Sequence, residues 1–364
     1  MSGSRGSLAA VGHRVTLIPG DGIGPEVSSA MRSVVEATGV EIDWDVREAG
    51  AQVLEQEGTP LPDSVLEAIR DSRVAIKGPV STPVGTGFRS VNVALRQELD
   101  LFAAVRPARA YPGVRTRHPG VEVVVIRENT EDLYQGIEFE RGSQELDRLR
   151  RELEGLAGYR LPEDAGVTLK PISVTGTRRI VRFALEHARR HGRKRITLGH
   201  KANIMKFSDG VFLQTALGIA AAEYPEVEME PMQVDEVAMW LAWEPEVMDL
   251  LLLPNLYGDI VSDLCAGLVG GLGLAPGANL GWEYAVFEPV HGSAPDIAGK
   301  GVANPLAMIL TAAMMLRHLK RDDAADRVEA AVAALLEEGR VLTPDMGGSA
   351  STEEVAEALA GRLR

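Results

Sequence analysis

The sequence predicts an α/β fold with a largely parallel sheet. Three observations lead there. Short strand-like runs recur, among them residues 74–77, 121–126 and 250–253, the last two almost wholly apolar. Segments with helical periodicity separate them along most of the chain. Breaks rich in glycine and proline fall between the two kinds of segment.

In chain order, residues 13–18 read as a strand that runs into Pro19-Gly20-Asp21-Gly22-Ile23-Gly24-Pro25 and then an amphipathic helix over 26–38. The third glycine comes one residue too early for a dinucleotide-binding fingerprint, so this is a tight strand-to-helix turn. Alternation continues through 42–46, 51–56, 63–71 and 74–77, and residues 78–87 form a Pro/Gly/Thr loop. A helix is expected over 90–100, then extended chain over 101–106 before Pro107. The run 121–126 ends in the polar stretch Arg127 to Tyr134. Residues 145–158 are charged and helical, with Leu146, Leu149, Leu153 and Leu156 at helical spacing, and 167–174 alternate as a strand. This excursion suits a dimer contact. From Gly176 the pattern resumes: helix 177–191, strand 195–198, helix 208–224, strands 227–234 and 250–253, and a helix from Asp259. A Gly-rich loop (267–281), a second loop (288–304) and three helices from Pro305 complete the chain.

A length of 364 residues suggests two domains, or a large one with a long insertion. Lysine and arginine number 38 against 52 acidic residues, a net charge of −14. That balance argues against nucleic acid and anionic membranes as partners, so an anionic substrate needs a local basic cluster. Cys265 is the one cysteine, which excludes an intramolecular disulfide and fits a reducing, cytoplasmic compartment. Its apolar surroundings read as those of a buried structural thiol. No apolar run reaches the ~18 residues of a membrane span. Residues 1–12 are Ser/Gly/Ala-rich and are expected to be disordered.

The chemistry centres on Asn255-Leu-Tyr-Gly-Asp259-Ile-Val-Ser-Asp263. Asp259 and Asp263 are four apart, so a helix puts both carboxylates on one face. Such a pair suits a hard divalent cation such as Mg²⁺ or Mn²⁺; it also suits an acidic first helical turn. Asp235 follows a strand, as a third metal ligand or a helix cap. Arg106 and Arg127 end strand-like runs, where open α/β sheets place ligands, and Arg96 lies on the helix that Ser90 and Asn92 begin. Three converging guanidiniums would clamp a polycarboxylate; singly each reads as a surface arginine. Tyr134 and Lys201 are candidate proton carriers.

Taken together these stretches resemble the metal-dependent β-decarboxylating dehydrogenases, and among them the isocitrate dehydrogenases. The matching segments are Ser90-Val-Asn-Val-Ala-Leu-Arg-Gln-Glu-Leu-Asp-Leu, Val105-Arg-Pro, Ile126-Arg-Glu-Asn-Thr-Glu-Asp-Leu-Tyr, His200-Lys-Ala-Asn-Ile-Met-Lys-Phe-Ser-Asp-Gly, the aspartate stretch itself, and His291-Gly-Ser-Ala-Pro-Asp-Ile-Ala-Gly-Lys. The resemblance implies two α/β domains around a cleft: residues 1–101 with 270–364 on the cofactor side, and 102–133 with 172–269 on the substrate, metal and dimer side. A clasp-like dimer segment, 134–171, would be inserted between them. It also implies that Ser90, Asn92, Arg96, Arg106 and Arg127 bind substrate carboxylates. Tyr134 would protonate the carbon left by decarboxylation. Lys201 and Asp235 would come from the second subunit of a homodimer, and Asp235, Asp259 and Asp263 would surround Mg²⁺ or Mn²⁺. NAD would be held by Glu288, His291, Gly292, Ser293, Ala294, Pro295, Asp296, Ile297 and Asn304, with Thr82 and Asn203 near the nicotinamide. The expected reaction is NAD-dependent oxidative decarboxylation of isocitrate.

Two departures bear on the cofactor. The family's NADP-using members carry a basic residue where this chain has Asp296 and a tyrosine where it has Ile297. An aspartate there repels a 2′-phosphate and accepts hydrogen bonds from ribose hydroxyls. The end of the chain, 343–354, is more like that of the isopropylmalate dehydrogenases and lacks a phosphate-gripping arginine. Competing readings are a homoisocitrate or 3-isopropylmalate dehydrogenase, a regulatory subunit of a hetero-oligomer, and a plain acidic binding protein. Polar Ser90 and Asn92 speak against an apolar isopropyl pocket. Tyr134, Lys201 and the three aspartates speak for a catalytic chain.

Overall fold

The computed structural model describes residues 12–81 and 90–364. Residues 1–11 of the Ser/Gly/Ala-rich start, and Thr82, lie outside the described residues. The first half of the chain runs β1 (His13–Ile18), α1 (Gly24–Ala37), β2 (Ile42–Val46), α2 (Ala51–Glu57), α3 (Asp63–Ser72), β3 (Val74–Lys77), α4 (Val91–Glu98), β4 (Ala103–Arg109) and β5 (Glu122–Glu128). The excursion follows as β6 (Glu138–Phe139), α5 (Gln144–Ala157) and β7 (Val167–Thr168). Alternation resumes with α6 (Val174–Arg190), β8 (Arg195–His200), α7 (Asp209–Glu223), β9 (Glu228–Gln233), α8 (Val234–Trp243), β10 (Leu250–Leu253) and α9 (Asn255–Leu268). Two short strands, β11 (Ala278–Leu280) and β12 (Ala285–Phe287), precede α10 (Leu306–His318), α11 (Asp322–Glu338) and α12 (Thr352–Leu363).

Ten strands form one sheet in the order β2-β1-β3-β12-β11-β4-β5-β10-β8-β9. Its outer parts are parallel; the antiparallel pairs β12–β11, β11–β4 and β4–β5 stand in the middle. The expectation of a largely parallel α/β sheet is met. Helices cover both faces. On one half, Val15, Leu17 and Ile76 pack under α1, α10, α11 and α12. On the other face Ile18 of β1, Ala75 of β3 and Val286 of β12 meet α3 and α4. On the other half, Val124, Ile126 and Leu252 pack against α6 and α7. Val123, Val125 and Leu251 pack against α8 and α9. This alternation is that of strands buried on both faces.

Several sequence expectations shift. The helix expected from Asp259 starts at Asn255, directly after Pro254, and carries Gly258 inside it. A Cβ at Gly258 would stand 2.6 Å from the Arg127 side chain, so glycine lets α9 lie close on β5. The strand expected over 167–174 is only two residues long, because Ser173 caps α6 by accepting from Gly176 N. The Gly-rich loop 267–281 contains β11, and β12 follows it. Among the described residues no helix is long and apolar enough to cross a membrane. Cys265 is buried, which pushes its thiol up to about 12.

Candidate active site

The site begins with strand register. Arg106 on β4 lies opposite Val125 on β5, and Arg127 is two residues beyond Val125. Alternation therefore puts both guanidiniums on the sheet face that α9 covers. Arg127 is 1% exposed. Its Nε and Nη2 donate to Asn255 Oδ1 at 2.9 and 2.6 Å, and its Nη1 donates to Asp259. Arg106 Nη1 donates to Asp259 at 3.2 Å and to Ser262 at 2.7 Å, and it stands 3.5 Å from Asp263. The start of α9 thus presents its carboxylates directly to the two arginines.

Arg96 comes from α4, one turn after Asn92. Its Nη2 is 3.3 Å from Glu288, which also takes Lys77 at 2.8 Å and Asn279 at 2.8 Å. Lys77, Asn92, Arg96, Arg106, Glu288 and His291 all line one cavity of about 130 Å³ at the middle of the sheet. Three buried polar atoms there have no hydrogen-bond partner: Asn92 Oδ1, Arg96 Nε and His291 Nε2. Orphaned buried groups are costly, and their clustering in one polar cavity marks it as a ligand site.

The electrostatics are uneven. Burial pushes Arg127 down, and Arg96 and Arg106 push it further. Burial pushes Asp259 up, but Arg127 and Arg106 outweigh it and its carboxyl falls below the usual range. Asp263 goes the other way, raised by burial and by the neighbouring Asp259. Tyr134, on the 3-10 turn Asp132–Gln135, donates to Asp259. Burial and that carboxylate raise its phenol. Burial disfavours the Glu288 carboxylate, yet Lys77 and Arg96 hold it far below the ordinary range.

Other expected residues stand elsewhere. Lys201 Nζ is 2.5 Å from Asp235 and 3.1 Å from Gln233, at the far end of β8 and β9. Among the described residues no group of three His, Cys, Asp or Glu could hold a metal, so Asp235 does not join Asp259 and Asp263 within one chain. Ser90 occupies the N-cap of α4 without capping it by its side chain, and Asn203 is exposed. In the 291–297 loop, Ile23 N donates to Ser293 O at 2.9 Å. Gly22, at φ +61, would drive a Cβ into that same carbonyl. The strand-to-helix turn thus seats the loop. Gly292, Pro295 and Asp296 are exposed, Ala294 and Ile297 half-buried against the core. Asn304 is turned away to Asp345, 3.0 Å, and to Leu306 N, 3.0 Å. Sequence reasoning overlooked Lys77, Asn279 and Ser262. A lysine closing a buried strand such as Val74–Lys77 was the available signal, since a buried ammonium needs a carboxylate.

A family model described as isocitrate/isopropylmalate dehydrogenase matches residues 14–359. The chain belongs to the isocitrate/isopropylmalate dehydrogenase family. It is 48% identical to the chain in "Crystal structure of isocitrate dehydrogenase from Methylococcus capsulatus", with a TM-score of 0.89 over 97% of this chain and 99% of that one. It is 42% identical to the probable isocitrate dehydrogenase [NAD] subunit alpha, mitochondrial, of Drosophila melanogaster, over 96% of this chain and 87% of the relative. It is 43% identical to the 3-isopropylmalate dehydrogenase of Archaeoglobus fulgidus, over 96% of this chain and 99% of the relative. An isocitrate dehydrogenase [NADP] stands at comparable identity. The fold and the oxidoreductase class of this family therefore hold for this chain.

Proposed function

We propose that the protein oxidises and decarboxylates isocitrate to 2-oxoglutarate and CO₂ with NAD and Mg²⁺ or Mn²⁺. The observation that carries this reading is that Arg96 and Arg106 line one polar cavity, while Arg106 also pairs with Asp259 and Asp263, and Asp259 with Arg127, beside it. Arg96, Arg106 and Arg127, with Ser90 and Asn92, bind the substrate carboxylates. Asn92 Oδ1, orphaned and polar, favours a polar substrate arm over an isopropyl group.

Asp259 and Asp263 fit a hard divalent cation. They are one turn apart, and the Asp263 carboxyl is raised by burial first and by the neighbouring Asp259 second, a like-charge contact that a cation would relieve. Asp235 completes the ligand set from a second copy in a homodimer, where Lys201 enters the same site. When bound, the cation supplies Lewis acidity to the substrate's hydroxyl and adjacent carboxylate. Lys201 takes the hydroxyl proton. Tyr134, kept protonated by burial and Asp259, gives its proton to the carbon from which CO₂ has left. The loop from His291 to Ile297 holds the adenosine half of NAD with Glu288 and Asn304 nearby, and Thr82 and Asn203 flank the nicotinamide. Exposed Asp296 faces away a 2′-phosphate. The cavity lies between the two halves of the sheet, in keeping with domains of 1–101 with 270–364 and of 102–133 with 172–269, and with an inserted clasp of 134–171. A cytoplasmic location accompanies this reading.

A second reading, a subunit of a hetero-oligomeric isocitrate dehydrogenase, draws on a regulatory-subunit relative at 43% identity. One assay separates them. Purified homomeric protein with isocitrate, Mg²⁺ and NAD should form NADH and 2-oxoglutarate in equal amounts, and excess chelator should stop both. Full activity in chelator removes the metal from the account; no activity from the homomer favours the subunit reading.

A further inference from the structure

Lys170 lies outside the arginine–aspartate cluster, just past β7 at the foot of the inserted segment. Its Nζ stands 2.6 Å from Asp209 Oδ1, 3.9 Å from Asp132 Oδ1 and 3.3 Å from the Tyr257 hydroxyl. It also lies 4.3 Å from the centroid of the Tyr257 ring. Asp132 and Asp209 are both 0% exposed. Two carboxylates withdrawn from water need a cation beside them, and Lys170 is within reach of both.

Each partner belongs to a different element of the site. Asp132 opens the 3-10 turn that carries Tyr134. It sits at φ +68, a conformation costly for a residue with a Cβ, and its two oxygens accept from Leu133 N at 2.8 Å and Leu256 N at 2.9 Å. Its own N–H donates to Pro171 O at 3.0 Å, next to Lys170. Asp209 opens α7, and its Oδ2 accepts from the backbone N–H of Lys201 at 2.7 Å. Tyr257 belongs to the first turn of α9, two residues before Asp259.

We propose that Lys170 is a positioning residue: one ammonium that holds the Tyr134 turn, the Lys201 loop and the Asp259 helix in common register. This rests on the reading of those three residues as acid, base and metal ligand. In a dimer with shared sites, Tyr134 and Asp259 serve one site and Lys201 the other, so Lys170 also joins the two halves. The inserted segment leaves the fold just after Tyr134 and returns at Lys170, closed by Leu169 N donating to Ile137 O at 3.0 Å. A shift at its foot therefore reaches all three groups.

The test uses Lys170→Met and Lys170→Arg in the full chain, assayed with isocitrate, Mg²⁺ and NAD. Lys170→Met should lower kcat between ~10- and ~100-fold, the scale of a small misplacement of reacting groups. The KM for isocitrate should stay within about threefold, because the arginines are untouched. Lys170→Arg should recover most of the loss. A folded Lys170→Met protein with full kcat, or a loss carried wholly by KM, overturns the proposal. Should Lys170→Met fail to fold, Lys170→Met with Asp209→Asn removes both charges together and should show the same fall in kcat; full kcat there overturns it as well. Should the unmodified protein not turn over isocitrate, the functional reading falls on its own. Hydrogen exchange then tests the register: Lys170→Met should speed exchange over 131–136, 200–206 and 255–259 together, and unchanged exchange over 200–206 overturns the proposal.

Discussion

Tyr134 donates its phenolic hydrogen bond to Asp259, the carboxylate that Arg127 and Arg106 also grip. The acid of the proposed reaction and a ligand of its cation thus share one contact. The Arg127 guanidinium stands 4.7 Å from the Tyr134 ring, so the ring is held from a second side.

Tyr134→Phe keeps that ring and removes only the proton donor. The expected outcome is a fall in kcat of ~10²–10⁴-fold, the usual weight of a general acid. Substrate KM and thermal stability should change little. Initial-rate kinetics beside a melting curve check this; a variant within a few-fold of normal turnover takes the acid role away from Tyr134.

Glu288 gives a pH-dependent prediction. Its folded carboxyl titrates below the ordinary value because Lys77 and Arg96 outweigh its burial. The stability it contributes is present above the unfolded value of about 4.3 and is lost as pH falls from there toward the folded one. Glu288→Gln leaves Lys77, 2% exposed, without its partner carboxylate. That should cost roughly 3–5 kcal/mol near neutral pH. Denaturant unfolding of both proteins should show the gap narrowing as pH falls below about 4. A gap that does not change with pH means Glu288 is not ionised in the fold.

Much of this arrangement was legible in the chain. The strand Leu250–Leu253 and the helix after it were visible in the apolar run and the Asp259–Asp263 spacing. The helix start was misread because Gly258 looks like a break in sequence, and only the nearness of Arg127 explains it. β11 and β12 are three residues each, held by neighbours on both sides, and carry no period of their own. Arg96, Arg106 and Arg127 declared their positions; their partners did not. Glu288 meets Lys77 across the whole fold, and Lys170 meets Asp132 and Asp209 through tertiary packing that local pattern does not encode. The meeting of Asp235 with Asp259 and Asp263 was expected between two chains, and one chain alone does not bring them together.

Gly258→Ala tests the close packing of α9. A Cβ would stand 2.6 Å from both Cβ and Cγ of Arg127. Overpacking of this kind costs ~1–3 kcal/mol. The displaced guanidinium should also raise the KM for substrate. Denaturation and steady-state kinetics together check it; a variant with unchanged stability and KM shows that α9 yields freely.

The proposed reading places cofactor choice at Asp296 and Ile297. The unmodified protein should favour NAD, and Asp296→Lys with Ile297→Tyr should move preference toward NADP by removing a repelling carboxylate and adding a cation for the 2′-phosphate. Specificity constants for both cofactors decide this. Faster turnover of NADP by the unmodified chain contradicts the role given to Asp296.

The most direct test is substrate choice. kcat/KM for isocitrate and for 3-isopropylmalate, measured on one preparation with NAD and Mg²⁺, compares a polar carboxylate arm with an apolar one. With Arg96, Arg106 and Asn92 lining the cavity, isocitrate should win by at least ~100-fold, because an apolar arm leaves buried polar groups unpaired. Equal or faster turnover of 3-isopropylmalate would contradict the account.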